Sequence, residues 1–219
     1  MIYNFQPKGN ISEVSYNEVV ASWLKGEWHY SCFDARRYDV EDRIIREPDL
    51  SNPKENALRL ELLTSNRHSI LDKLSEDIKW YSISYSHDDI DRTYLISPTK
   101  WCAQFSGGSF ALKDAACDLE KKLPNMSPPD AEKIRQIYDS MNSEKIQSQK
   151  LIFVASSDTS PFTVIEGNHR LIAMLNKAQE LAIDPIMYKA YLGISPGMKS
   201  SIVHIENYFP KNDYEIANR

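Results

Sequence analysis

The chain has 219 residues, 42% of them hydrophobic and 26% charged, with 26 Lys+Arg against 31 Asp+Glu and a formal net charge of −5. Such a length buries a full core without staples, and the acidic balance argues against a protein whose main task is to coat nucleic acid, where phosphate neutralisation needs an excess of bases. No window approaches the ~18 apolar residues of a membrane span, and three cysteines, Cys32, Cys102 and Cys117, without C-x-x-C spacing argue against a disulfide framework or a cysteine-rich zinc site.

Met1–Gln6 lack the charged region and apolar run of a secretory signal, so the expectation is a reducing, cytoplasmic compartment. Ser15 and Glu18 have capping-box spacing, and Tyr16, Val19, Val20, Trp23 and Leu24 recur at i, i+3, i+4, i+7 and i+8. This predicts a first helix, with Gly26 as its stop. Residues 27–56 are aromatic, charged and weakly periodic, and predict no element. Asn56–Leu63 reads two ways, since Leu58, Leu60 and Leu62 alternate like a strand among good helix formers. Ile70, Leu71 and Leu74 suggest a short helix. Lys79–Ser86 is aromatic and β-branched, a predicted strand, followed by a polar turn at His87-Asp88-Asp89 and a short apolar piece, Tyr94-Leu95-Ile96.

Ser106-Gly107-Gly108-Ser109 is expected to open a helix with Leu112, Ala115, Ala116, Leu119 and Leu123 on one face, ended by Pro124. Ser127-Pro128-Pro129-Asp130 starts another, striped by Ile134, Ile137, Tyr138 and Met141. Leu151–Ala155 is a continuous apolar run, a buried strand. Ser156–Pro161 is a turn cluster, and Phe162–Ile165 the hairpin partner strand. Leu171, Ile172, Leu175 and Ala178 follow helical spacing; Ile186–Leu192 is a third strand ending at Gly193, and Ile202–Phe209 one more short element. The alternation predicts an α+β fold with these strands in one mixed sheet. Residues 1–75 form a mainly helical extension, packed through Val19 and Trp23 on an α+β domain over residues 76–219.

Glu166-Gly167-Asn168-His169-Arg170 is the most site-like run. Gly167 stands where strand passes into helix, where a residue without a side chain lets the backbone turn and a ligand approach. Asn168 is the expected N-cap, with His169 and Arg170 in the first turn. A helix start carries partial positive charge and favours acids; an arginine and a histidine there suit an anion, and with the helix amides they compose a phosphate pocket. The same residues admit a plainer account, in which Arg170 pairs with Glu166 or another acid and His169 is a hydrogen-bonded core histidine.

In its context, a strand-to-helix turn after a hairpin, Glu166-Gly167-x-His169-Arg170-x-x-Ala173 resembles the ParB/sulfiredoxin-like superfamily, in which this turn binds nucleotide phosphates. The resemblance covers residues 127–193, with the Lys79 strand as its earliest start. It implies ATP or CTP with Mg²⁺ as ligand, Glu166, His169 and Arg170 as catalytic residues, and Gly167, Asn168, His169 and Arg170 as the phosphate-binding set. Sulfiredoxin has a cysteine just before its His-Arg where this chain has Asn168, so sulfinic acid reduction is not implied. Partition-type ParB proteins continue into helix-turn-helix domains, and the stretch after Ala173 has no such pattern. Free-amino-acid kinases similar to this fold use a separate carboxylate as base, which no spacing here identifies.

Two functional expectations result. The first is a nucleotide-binding enzyme of phosphoryl transfer or NTP hydrolysis, in which Arg170 neutralises phosphate, His169 bonds an oxygen or shuttles a proton, and Glu166 holds Mg²⁺ or orients the attacking group. The second is a non-catalytic module that binds a nucleotide, a nucleic-acid end or a protein partner in the same pocket. Ser106–Ser109 is a weaker anion cradle, better explained by Ser109 as a cap. His29, His68 and His204 read as structural, and the Trp23/Trp28 and Trp80/Tyr81/Tyr85 groups as core. Arg36, Arg37, Arg43 and Arg46, mixed with Asp34, Asp39, Glu41 and Asp42, read as a solvated surface.

Overall fold

The computed structural model describes residues 11–36, 39–96, 106–142, 144, 150–182 and 187–201. Their strands are β1 (Ser12–Val14), β2 (Lys79–Ser86), β3 (Thr93–Leu95), β4 (Lys150–Ala155), β5 (Phe162–Glu166) and β6 (Met187–Ile194). They form one six-stranded sheet in the order β1-β2-β6-β4-β5-β3. β6–β4 and β5–β3 run parallel and the other neighbours antiparallel, so the sheet is mixed. The four predicted strands all lie in it. Ile186, the Ile202–Phe209 stretch and Cys102 lie outside the described residues.

The helices are α1 (Tyr16–Glu27), α2 (Asp39–Arg46), α3 (Pro53–Leu71), α4 (Leu112–Ala116), α5 (Leu119–Lys122), α6 (Pro128–Ser140) and α7 (Asn168–Glu180). They cover both faces of the sheet, which is why Leu151–Ala155 of β4 are all apolar. Leu151, Phe153 and Ala155 pack with Ile134 of α6 and Leu171, Ile172 and Leu175 of α7. Ile152 and Val154 face the other way, with Val19 and Trp23 of α1, Leu62 and Leu63 of α3 and Trp80 of β2. The Val19/Trp23 face of the first helix thus packs on the sheet as expected. The N-terminal stretch also contributes the edge strand β1, paired antiparallel with β2.

Local chemistry explains the boundaries. Ser15 Oγ accepts from the Glu18 amide at 3.2 Å, starting α1. α3 is a helix rather than a strand because Asn52 Oδ1 accepts from the amides of Lys54 (3.1 Å) and Glu55 (3.3 Å), with Pro53 in the first turn. It continues through Ile70 and Leu71 after a kink at Arg67 (φ −126°, ψ 16°). The described residues of 27–56 fold around buried polar anchors. Arg59, wholly buried, donates to the carbonyls of Ile44 (3.2 Å) and Asp49 (3.0 Å) and so ties α2 and its exit loop to α3. Trp28 Nε1 donates to Asp42 at 3.0 Å.

Three boundaries differ from expectation. Gly26 does not stop α1; it lies within the helix, which ends at Glu27. The single helix expected after Ser109 is broken into α4, α5 and a 3-10 turn over Leu123–Asn125, with Asp118 left-handed (φ 52°) between the pieces. Leu112, Ala115, Leu119 and Leu123 are nonetheless all buried in one core, so the stripe encoded burial and not helical continuity. β6 runs through Gly193 to Ile194, because Gly193 faces Trp80 across the ladder. A Cβ there would stand 2.9 Å from the Trp80 ring, so glycine marks a close packing point within the strand rather than its end.

Candidate functional site

β5 ends at Glu166, and α7 begins at Asn168 with Gly167 as its N-cap at φ 101°. Only glycine suits that conformation and that space, since a Cβ on Gly167 would come within 2.8 Å of Leu151. Asn168 is therefore not the cap. Its side chain joins two elements instead, accepting from the Ile96 amide at 3.1 Å beyond β3 and donating to the Val164 carbonyl at 3.4 Å. His169 and Arg170 stand in the first turn of α7, as expected, beside helix-start amides that have no carbonyl one turn back.

This turn opens on a cleft of about 590 Å³, whose walls come from α1, α3, α6 and the segment after β3. Arg170 reaches across the turn to Glu166 (2.6 Å) and packs against Gly26, whose hydrogen occupies space that a Cβ would bring to 3.3 Å from the guanidinium. The next residue, Glu27, is wholly buried. Arg67 donates to both of its carboxyl oxygens at 2.6 Å, and Asn66 adds a bond at 3.0 Å. Glu27 and Glu166 are hydrogen-bonded to each other, so the site contains two adjacent acids, each with its own arginine. Burial first, and then the charge of Glu166, pushes the Glu27 carboxyl up to about 7. Glu166 goes the other way: although burial opposes it, Arg170 above all holds it ionised. Two carboxyls placed in this way favour one proton held between them over two full charges.

α6 supplies the opposite wall. His169 Nε2 lies 3.2 Å from Asp130 Oδ1, a contact between the first turns of α6 and α7. Burial, reinforced by the Lys133 charge, pushes His169 down to about 4 despite Asp130, so the imidazole is neutral at pH 7. Lys133 Nζ sits 4.0 Å from the centroid of the Tyr30 ring and bonds its hydroxyl; burial lowers its pKa, opposed by Glu166 and Glu27. Arg67 lies 5.6 Å from the same centroid. His29 stacks beside Tyr30 at 4.3 Å, and burial followed by Lys133 lowers its pKa as well.

The structure therefore brings together Glu166, Gly167, Asn168, His169 and Arg170, the set read from the sequence, and adds Glu27, Arg67, Lys133 and Tyr30. Glu27 was hidden because residues 27–56 predicted no element. Gly26, read from the sequence as the stop of the first helix, stands just before it, and is the one signal that could have drawn attention to it. His29, read as structural, lines the cleft. Arg170 does pair with Glu166, as the plainer account allowed, and it also faces the cleft. The Ser106–Ser109 segment is a turn apart from it; Ser109 Oγ accepts from the Ala111 amide (3.1 Å) and donates to Asp114 (2.6 Å). Among the described residues no group of three or more His, Cys, Asp or Glu is placed to hold a metal ion. No protein-family model, no curated protein and no solved structure matches the chain.

Proposed function

We propose that the chain is a nucleotide-binding protein that takes ATP or CTP with Mg²⁺ by its phosphates at the Glu166–Arg170 turn, and that it works as a phosphoryl-transfer or NTP-hydrolysing enzyme. The observation that carries this is the convergence of Arg67, Lys133 and Arg170, from three separate helices, on a cleft that also takes in a glycine-capped helix start. Arg67 and Arg170 balance Glu27 and Glu166, and Lys133 with the helix-start amides adds further positive charge to the cleft, which suits an anion. In this reading residues 76–219 are a ParB/sulfiredoxin-like unit, and residues 1–75 complete its pocket through Gly26, Glu27 and Arg67. Mg²⁺ enters with the nucleotide, as the counter-ion of its phosphates.

The roles follow from the contacts. Arg170 and the amides of the turn hold phosphate, with Lys133 and Arg67 neutralising its further charge. His169, neutral and set by Asp130, bonds a phosphate oxygen or passes a proton. Glu166 faces the cleft with Glu27 behind it, and the pair accepts or returns a proton as the attacking group forms its bond. The free thiols of Cys32 and Cys117 suit a reducing cytoplasm. Thermal shift and calorimetry with ATP, CTP and pyrophosphate, with and without Mg²⁺, test the reading. Saturable binding that raises the melting point and is lost in Arg170→Ala is the expected result. No shift with any of the three defeats it, and binding without turnover leaves a non-catalytic module.

A further inference from the structure

The cleft changes character along its length. α6 carries the change on one face: Lys133 and Ile137 stand at i and i+4, about 6 Å apart along the axis, and Met141 follows at its C-cap. α3 repeats the order over a shorter span, Arg67 and then Ile70. The charged end meets the Glu166–Arg170 turn, and the other end is walled by isoleucine and methionine drawn from both cores of the protein. The polar side chains beside this wall, Gln136 and Ser140, are exposed and each donates a hydrogen bond within α6. Gln136 Nε2 donates to Glu132 at 2.8 Å, and Ser140 Oγ to the Ile137 carbonyl at 3.0 Å.

A bare phosphate has no use for an apolar wall that starts about 6 Å along α6 from the lysine and runs on to its end. A phosphate ester of a flat, largely apolar body spans both ends, with the anion among Arg67, Lys133 and Arg170 and the body laid on Ile70, Ile137 and Met141. We infer that the apolar end is a subsite for the base of a nucleotide, and that it holds the base by contact rather than by hydrogen bonds. The cleft then accepts nucleotides with little regard to which base they carry. This rests on the phosphate-binding reading above.

Titration calorimetry of the full chain with tripolyphosphate, ATP, CTP and GTP at one fixed Mg²⁺ concentration separates the two. The expected result is nucleotides within about tenfold of one another, each about tenfold or more tighter than tripolyphosphate, since burying a base face adds apolar contact that the bare chain of phosphates lacks. Ile70→Gln and Ile137→Gln, on different helices and first checked for folding by circular dichroism, should each shrink the ratio of ATP to tripolyphosphate affinity several-fold. Tripolyphosphate binding as tightly as the nucleotides overturns the subsite and leaves the phosphate reading standing. A preference above tenfold for one base overturns the contact-only recognition, as does a ratio unmoved in both folded variants. If neither tripolyphosphate nor any nucleotide binds, the phosphate reading falls and the subsite with it.

Discussion

Glu27 and Glu166, the last residues of α1 and of β5, lie side chain to side chain beneath the cleft, where burial and the charge of Glu166 push the Glu27 carboxyl up to about 7. Neither acid could be buried there with two full charges, since like charges in a low dielectric repel strongly. Arg67 holds one and Arg170 the other, so helices from opposite ends of the chain are locked by one four-membered charge cluster. Gly26 leaves room beside this cluster, since a Cβ at that position would stand in contact with Glu166 at 3.7 Å and crowd the Arg170 guanidinium at 3.3 Å.

The raised Glu27 carboxyl gives stability a pH dependence of definite sign. Glu27 titrates about 7 in the folded chain against 4.5 ordinarily, so its contribution is fully present below 4.5 and is lost as pH rises through 7. Glu27→Gln carries no such dependence. Its stability relative to the parent should therefore rise from pH 5 to pH 8 by on the order of 2–3 kcal/mol, read by denaturant unfolding at each pH. A difference that stays flat across that range contradicts the shared proton.

His169 contributes with the opposite sign. Pushed down to about 4 from 6.5, it favours the fold fully above 6.5, and that contribution is lost as pH falls through 4. A histidine titration followed by NMR should place its midpoint near 4 in the free protein. Phosphate or nucleotide in the cleft should raise the midpoint by a unit or more, because an anion favours the imidazolium. A free-protein midpoint at 6 or above is incompatible with the buried, Lys133-facing ring.

Arg170→Ala strands Glu166 beside Glu27, so it should cost about 1–3 kcal/mol, more at pH 8 than at pH 5. Adding Glu166→Gln removes the stranded charge and should restore most of the stability without restoring nucleotide binding. Recovery of both together would mean that Arg170 serves the fold alone.

The two glycines at the cleft should respond differently to alanine. Gly167→Ala forces a left-handed backbone and a contact at 2.8 Å with Leu151, and should lower stability by about 1–3 kcal/mol. Gly26→Ala lies in a helix, where alanine gains up to about 1 kcal/mol, yet its methyl crowds Arg170. Its melting point should hold or rise while pyrophosphate affinity drops several-fold. Parallel losses of stability in the two variants would refute the assignment of Gly26 to the site.

The elements with strong period or strong composition were legible in the chain itself. Lys79–Ser86, Leu151–Ala155 and the α1 stripe depend on local alternation and on burial, and both are written residue by residue. The turn at Gly167 was equally legible, since a glycine between an apolar strand and an amphipathic helix has a backbone meaning without any partner. Asn56–Leu63 was not, because its leucines satisfy strand and helix periods alike, and only the Asn52 cap and the packing of Leu62 and Leu63 resolve it. The second carboxylate was beyond the sequence altogether. Glu27 and Glu166 are 139 positions apart in the chain; what joins them is the docking of α1 on the sheet, and with it the burial that favours one proton between two acids. Residue types and spacings determined that a strand passes into a helix at Gly167 with a histidine and an arginine in its first turn; the tertiary fold decided which distant acids and cations surround that turn, because charge interactions depend on distance in space and on burial, and neither is a property of sequence position.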